Sequence, residues 1–200
     1  MFDKLAPFIL EHENRKYQWD WERWIDLKSF IVPPGIIKLK LNLKLKESII
    51  SKEIDFSNLK LTNLITLASN FKNEGAPDDP NSKYTKSIDK SALSVSIYIM
   101  EELILPKNPG DSATLSVLCS LLRKIGKPQE ALEKTKNYSY PSAPLLTSRA
   151  AAMCDLELWK EAKHEVGRAL AMIKNNSDKQ EAFNVVIRIK EAAPYLYKNN

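Results

Sequence analysis

Cysteine and histidine are the residues of this chain that could do thiol or metal chemistry, and their spacing indicates neither. His12 lies between two glutamates, and His164 follows Lys163 in a helical pattern. Neither histidine forms an HExxH motif or has a cysteine or second histidine at metal-ligand spacing. Cys119 and Cys154 lie within helical patterns, so we expect buried free thiols rather than a catalytic Cys–His pair. With no glycine-rich phosphate loop either, the sequence predicts a protein that is not an enzyme and takes no cofactor or metal.

A cluster of tryptophans, Trp19, Trp21 and Trp24, is the aromatic feature that could bind a partner or stack on bases. Stacking of that kind is usually coupled to a basic groove, whereas the neighbouring residues here are as acidic as they are basic. The spacing of apolar residues predicts a helix over 16–30, which the Pro33-Pro34-Gly35 run ends. We therefore expect Trp21 and Trp24 to close one end of the core. Trp19 is then the exposed member and a candidate partner-binding residue.

A lysine-rich run from Ile37 to Lys46 alternates strictly between apolar and polar residues. This period of two predicts a strand within a short β hairpin around 36–56, with 49–56 or 93–99 as the pairing partner. A helix is the alternative, if tertiary contacts override the local pattern. In both cases we expect a basic stripe, which consists of Lys38, Lys40, Lys44 and Lys46. Such a stripe could touch phosphates, although a solvated face or a guarded sheet edge is commoner.

The composition is that of an ordinary globular chain. It has 200 residues, of which 44% are hydrophobic and 28% charged, and its net charge is +5. No apolar run is long enough to span a bilayer, and the first residues do not resemble a secretory signal. We therefore expect a cytoplasmic protein without a membrane span, and the mild charge does not favour a dedicated nucleic-acid binder.

The first half of the chain is expected to form one packing or capping region, residues 1–105, that is mixed but mostly helical. Apolar periodicity predicts helices over 2–11 and 58–71, and proline, glycine and aspartate predict a loop over 73–87. The stretch 88–105 suits a helix, with a strand as the alternative over its first half.

The second half, residues 111–194, predicts helix–turn–helix pairs. Asp111 is placed to cap a helix, Gly126 supplies the turn, and Pro128 starts the returning helix. A last helix is expected to begin near Ser177, with Gln180 completing a capping box, and to end at Pro194. Two sets of residues occupy matching places in the two pairs: Leu115, Leu118, Leu122, Gly126 and Ala131, then Leu146, Ala150, Met153, Trp159 and Ala162.

This pattern resembles the tetratricopeptide repeat, with Ala131 and Ala162 at the small-residue position of the returning helices. The resemblance implies antiparallel helical hairpins that bind a protein or peptide along the face formed by their first helices. The matching groove positions are Ser116, Ser120, Thr147 and Ala151, so the lysine–asparagine carboxylate clamp of some family members is absent. Two charged residues are expected to reach the groove, Arg123 and Arg149.

The sequence therefore predicts a mainly α protein that acts as a non-enzymatic interaction module, an adaptor or a subunit of a larger assembly. The alternative is a nucleic-acid-associated accessory protein that uses the lysine stripe and the tryptophan cluster.

Overall fold

The computed structural model describes residues 9–19, 24–53, 59–76 and 88–197. The chain forms two compact units, Met1–Leu103 and Ile104–Asn200. The fold is mainly helical, as predicted, and a small three-stranded antiparallel sheet lies near the N-terminus.

The sheet of the first unit has the strand order β1-β2-β3. Its strands are β1 (Ile9–His12), β2 (Arg15–Trp19) and β3 (Trp24–Asp26). Leu10 pairs with Tyr17, and Trp19 pairs with Trp24. Glu13 and Asn14 join the first two strands with φ angles of 51° and 60°, the backbone that a two-residue hairpin turn requires.

The helices predicted over 2–11 and 16–30 are wrong where the structure describes them, because residues 9–12, 15–19 and 24–26 are strands. Residues 2–8 and 20–23, with Trp21, lie outside the described residues. Tyr17 and Trp19 are both buried, so the inward side chains follow a period of two and not the helical period. The prediction that Trp19 is exposed is also wrong, since its side chain is 6% exposed.

The first helix, α1, covers Gly35–Ile50, so the strand and the hairpin predicted around 36–56 are wrong there. Residues 54–56 are not described. The buried apolar side chains described on α1 are Leu41, Leu45 and Ile49, spaced four apart, whereas Leu43 is exposed. A helical stripe was therefore present within the alternating pattern, and lysine and leucine favour the helical backbone.

Two more helices complete the first unit, α2 (Leu61–Gly75) and α3 (Lys90–Tyr98), and a π-helical segment, Ile99–Ile104, follows α3. The helices predicted over 58–71 and 88–105 are present but begin later, at Leu61 and Lys90, and the strand alternative over 93–99 is wrong. Of the predicted loop, 73–75 belong to α2 and 77–87 lie outside the described residues. Gly75 allows α2 and α3 to approach, because a Cβ there would lie 2.5 Å from Leu93 Cδ2.

The second unit consists of five helices and a final 3₁₀ turn at Pro194–Tyr197. The helices are α4 (Ser112–Lys124), α5 (Pro128–Thr135), α6 (Ala143–Asp155), α7 (Trp159–Met172) and α8 (Asn176–Ala192). The predicted cap is confirmed, since Asp111 Oδ1 accepts from the Ala113 amide. The predicted capping box of the last helix is wrong, because Asn175 caps it by accepting from the Asp178 amide.

The turns after α4 and α6 have the same geometry. The Lys127 amide donates to the Leu122 carbonyl at 2.8 Å, and the Leu158 amide donates to the Met153 carbonyl at 2.9 Å. The residue before each donor is left-handed, Gly126 with φ 87° and Glu157 with φ 61°. Both turns are therefore Schellman caps, in which glycine is the unstrained residue and glutamate is not.

The core of the second unit is built around α6, which contacts α4, α5, α7 and α8. The helices α4, α6 and α8 form a row in which each packs on the next. Cys119 and Cys154 are buried free thiols, as predicted.

Candidate protein-binding surface

Two of the predicted groove residues, Ser116 and Thr147, are buried within the second unit. Ser116 Oγ lies 3.1 Å from Ser148 Oγ, a hydrogen bond that joins α4 to α6. Ala151 is buried as well, whereas Ser120 is partly exposed. These small residues therefore let the helices of the row approach each other, and only Ser120 of the set faces solvent.

Arg123 is held in an ion pair at the ends of the helices. Its Nε lies 2.6 Å from Asp155 Oδ2, and Arg188 Nη1 lies 2.6 Å from Asp155 Oδ1. Burial would raise the pKa of Asp155, but the hydrogen bonds from the two arginines outweigh it and lower that pKa. One carboxylate thus links α4, α6 and α8.

Arg149, the other predicted groove cation, is held by Glu165 of α7. Its Nε lies 3.0 Å from Glu165 Oε1, close enough for an ion pair but not aligned as a hydrogen bond. Arg168 Nη1 lies 2.9 Å from the other oxygen of this buried carboxylate. Arg123 and Arg149 therefore each form an ion pair that joins one helix to another.

The four predicted stripe lysines do not share one face of α1. Lys46 is 2% exposed and its Nζ lies 2.8 Å from Glu74 and 3.0 Å from Asp89. Lys40 and Lys44 are more than about 100° from Lys38 around the helix axis. The predicted basic stripe is therefore wrong.

Trp19 is the aromatic residue of the predicted nucleic-acid alternative. Its ring packs on Trp24, with ring centroids 5.3 Å apart. Because Trp19 is buried, its ring faces are not available to stack on bases.

The outer face of α8 is an exposed apolar surface that the sequence analysis did not identify. Phe183 is 41% exposed and Ile187 50% exposed. They are four residues apart, so they lie side by side on the helix. Lys179 and Lys190 lie on the same side, and Lys179 Nζ is 5.8 Å from the Phe183 ring centroid. We define the α8 outer face by these four residues.

The inner face of α8 packs in the core of the second unit without Phe183 and Ile187. Ala182, Val185 and Ile189 are buried against a core that includes Ala150, Cys154 and Val166; their spacing of three and four is that of one helical stripe. The sequence does contain a signal for this second surface. α8 has more large apolar residues than one inner stripe can hold, and Phe183 and Ile187 are the two left over.

The thiols are not arranged for nucleophilic chemistry. Burial raises the pKa of Cys119 to about 12 and raises that of Cys154. At neutral pH both sulfurs are therefore protonated. Among the described residues, no three histidine, cysteine, aspartate or glutamate side chains lie together in a way that could hold a metal ion.

Comparisons of the chain with protein-family models, with curated proteins and with solved structures give no match. Within the described segments, no helix combines the length and the hydrophobicity needed to cross a bilayer. The function is therefore inferred from the chain's own geometry.

Proposed function

We propose that this protein is a non-enzymatic interaction module, an adaptor or assembly subunit, that binds an amphipathic helix of its partner on the α8 outer face. The observation that carries the proposal is the pair Phe183 and Ile187, large apolar side chains left in solvent on a helix whose other side already packs in the core.

A helix is the occupant that this surface fits best. In the row α4, α6, α8, each helix packs on the next, and α8 is the last of the row in the described residues. The turns at Gly126 and Glu157 share one geometry, which supports a repeating array of the tetratricopeptide type. A further helix laid on α8 would continue the row with the same kind of packing.

The charge of the α8 outer face selects an acidic partner. Lys179 and Lys190 lie within about 40° of Phe183 around the helix axis, whereas Glu191, the nearest carboxylate on α8, lies about 80° away. Acidic residues beside the apolar stripe of the partner would pair with both lysines and steer the two surfaces together.

The expected affinity is modest. Burying a side chain of this size contributes about 1.5–3 kcal/mol, and two such side chains must also offset the loss of rotational and translational freedom. We therefore expect a dissociation constant no tighter than about 100 µM, in the range of weak, reversible contacts.

The buried free thiols suit a reducing compartment, which supports a cytoplasmic location as part of the proposal. A nucleic-acid function is not proposed, because Trp19 and Lys46 are buried and the other three lysines are divided between two sides of α1.

The test uses the full chain and a synthetic helical peptide with a leucine stripe flanked by glutamates, titrated by calorimetry. We expect saturable one-to-one binding that Phe183→Ser and Ile187→Ser each weaken about tenfold, the equivalent of about 1.4 kcal/mol. Ile65→Ser is the matched control, since Ile65 is also 41% exposed but lies on α2.

Binding that survives both α8 substitutions, or that Ile65→Ser weakens equally, would contradict the proposal. Concentration-dependent dimerisation lost in Phe183→Ser would instead show that a second copy of the chain covers this face, and would also overturn it.

A further inference from the structure

The segment between β3 and the first turn of α1 exposes large apolar side chains to solvent. They are Phe30, Ile31, Val32 and Ile36, and the fractions exposed for Phe30 and Ile36 are 80% and 75%. We define the apolar loop as residues 28–38, which begin and end with a lysine. The apolar loop belongs to the first unit, whereas the interaction proposed above uses α8 of the second unit.

Asp26 holds the start of the apolar loop in a fixed conformation. Its buried carboxylate accepts from the Lys28 amide at 2.8 Å and from the Arg15 guanidinium at 3.0 Å. Its carbonyl accepts from the Phe30 amide at 2.8 Å, and its amide donates to the Ile31 carbonyl at 3.1 Å. Phe30 has a φ angle of 58°, a left-handed backbone that is strained for a bulky residue. The turn therefore holds Phe30 in solvent, and binding through this side chain requires little further ordering of the backbone.

The exposed side chains of the apolar loop do not share one side. Phe30, Ile31 and Val32 are consecutive, and consecutive side chains diverge by about 100° on a helix and about 180° on a strand. A protein surface that covered one of them would leave another in water. A layer of lipid headgroups surrounds an inserted loop on all sides, so a membrane is the partner that can bury all three side chains.

The backbone of the apolar loop has few amides that insertion would strip of water. Pro33 and Pro34 have no N–H group, and the Phe30 amide is bonded within the turn. An unpaired amide is costly in an apolar medium. This composition therefore lowers the cost of placing the tip of the loop among acyl chains.

The charges at the two ends of the apolar loop are basic. Lys28 and Lys38 are both exposed, and residues 27–46 contain no aspartate or glutamate. Glu13, the exposed carboxylate of the neighbouring turn between β1 and β2, lies 3.9 Å from Lys40 Nζ. Because lysines near a membrane surface are attracted to anionic lipids, the charge of the loop favours a membrane that contains them.

We propose that the apolar loop inserts into a membrane that contains anionic lipids, with Phe30 and Ile36 among the acyl chains and Lys28 and Lys38 at the headgroups. The binding is peripheral and reversible. Its expected partition coefficient is about 10³–10⁴ M⁻¹, up to the value for a single acyl chain. The inference does not depend on helix binding at α8, and either proposal can fail alone.

Co-sedimentation of the full chain with lipid vesicles tests this proposal. Phosphatidylcholine vesicles with about 30% phosphatidylserine should bind the protein about tenfold or more tightly than phosphatidylcholine alone, because only the mixed surface attracts the two lysines. Phe30→Ser and Ile36→Ser should each weaken binding to the mixed vesicles about fivefold or more, since each removes inserted apolar surface. Ile50→Ser is the matched control, because Ile50 is also exposed but lies at the other end of α1.

A fluorescent label shows whether the loop itself inserts. Phe30→Cys can be labelled selectively with an environment-sensitive fluorophore, since Cys119 and Cys154 are buried. Its emission should shift to the blue on mixed vesicles, whereas that of labelled Ile50→Cys should not.

Three results would overturn the proposal. They are an absence of binding to mixed vesicles, an equal loss of binding in Ile50→Ser, and a label at position 30 whose emission does not shift. Self-association in solution that Phe30→Ser abolishes would assign the loop to a second copy of the chain and would also overturn it.

Discussion

Lys46 is the residue whose role is furthest from its appearance in the sequence. It belongs to a run of alternating lysines, yet its side chain is 3% exposed and bridges Glu74 of α2 and Asp89 at the start of α3. Its partners lie in other elements, so no local pattern could identify them. The same is true of Arg123 and Arg149, whose charges the sequence showed but whose carboxylate partners it did not.

Replacing Lys46 by methionine should destabilise the protein by about 1–2 kcal/mol at pH 7. The loss is smaller than for a fully buried pair, because Glu74 and Asp89 are partly exposed and water solvates them when the lysine is absent. Urea unfolding of wild type and variant would measure it, with Lys40→Met as the exposed control.

The pH dependence of that difference follows from Asp89. Burial alone would raise the pKa of Asp89, but the bond from Lys46 and the amides of α3 lower it below the ordinary 3.8. Because the folded-state pKa is the lower one, the contribution is present above about pH 4 and is lost as the pH falls through the folded value. A difference that does not decrease as the pH falls below about 4 would contradict the assigned bridge.

At the scale of elements, the ends of helices could be predicted wherever a capping or turn residue marks them in the sequence. Asp111, Gly126 and Pro128 fix the start of α4, its end and the start of α5, because caps and turns depend on neighbouring residues. The strands were misread as helices from the spacing of their apolar residues, and α1 was misread as a strand from its alternation. In both segments long-range contacts decide the structure, and a short apolar pattern does not show them. The sequence analysis did not identify the α8 outer face, because helical spacing alone does not show which apolar residues face inward.

The Schellman turns at Gly126 and Glu157 have the same backbone geometry, so exchanging their residue types should change stability in opposite directions. Glu157→Gly should stabilise the protein by about 0.5–1 kcal/mol, since it removes left-handed strain at some cost in chain entropy. Gly126→Glu should destabilise it by about 1–2 kcal/mol for the converse reason. Thermal or urea unfolding would measure both, and a destabilising Glu157→Gly would show that the two turns are not equivalent.

At the scale of the whole molecule, three of the cations that the sequence singled out, Lys46, Arg123 and Arg149, are paired with carboxylates. A nucleic-acid binder needs several free cations along one groove. The first unit instead has three solvent-facing lysines on α1, divided between two sides.

We therefore expect a labelled 20-nucleotide single strand to bind no tighter than about 100 µM at 0.15 M salt, the weak end of non-specific binding. Fluorescence anisotropy over a salt series would measure it. Tight, salt-sensitive binding that is lost in the triple variant Lys38→Gln, Lys40→Gln and Lys44→Gln would contradict this view.

Charge exchange across the α8 outer face tests the central claim most directly. In the double variant Lys179→Glu and Lys190→Glu, binding of the glutamate-flanked peptide should weaken about tenfold or more, and a peptide with lysines in place of those glutamates should regain it. Lys136→Glu, on an exposed position after α5, is the control and should leave both affinities within about twofold. If the exchanged peptide gains nothing on the double variant, α8 does not bind an acidic helix and the proposed function is wrong.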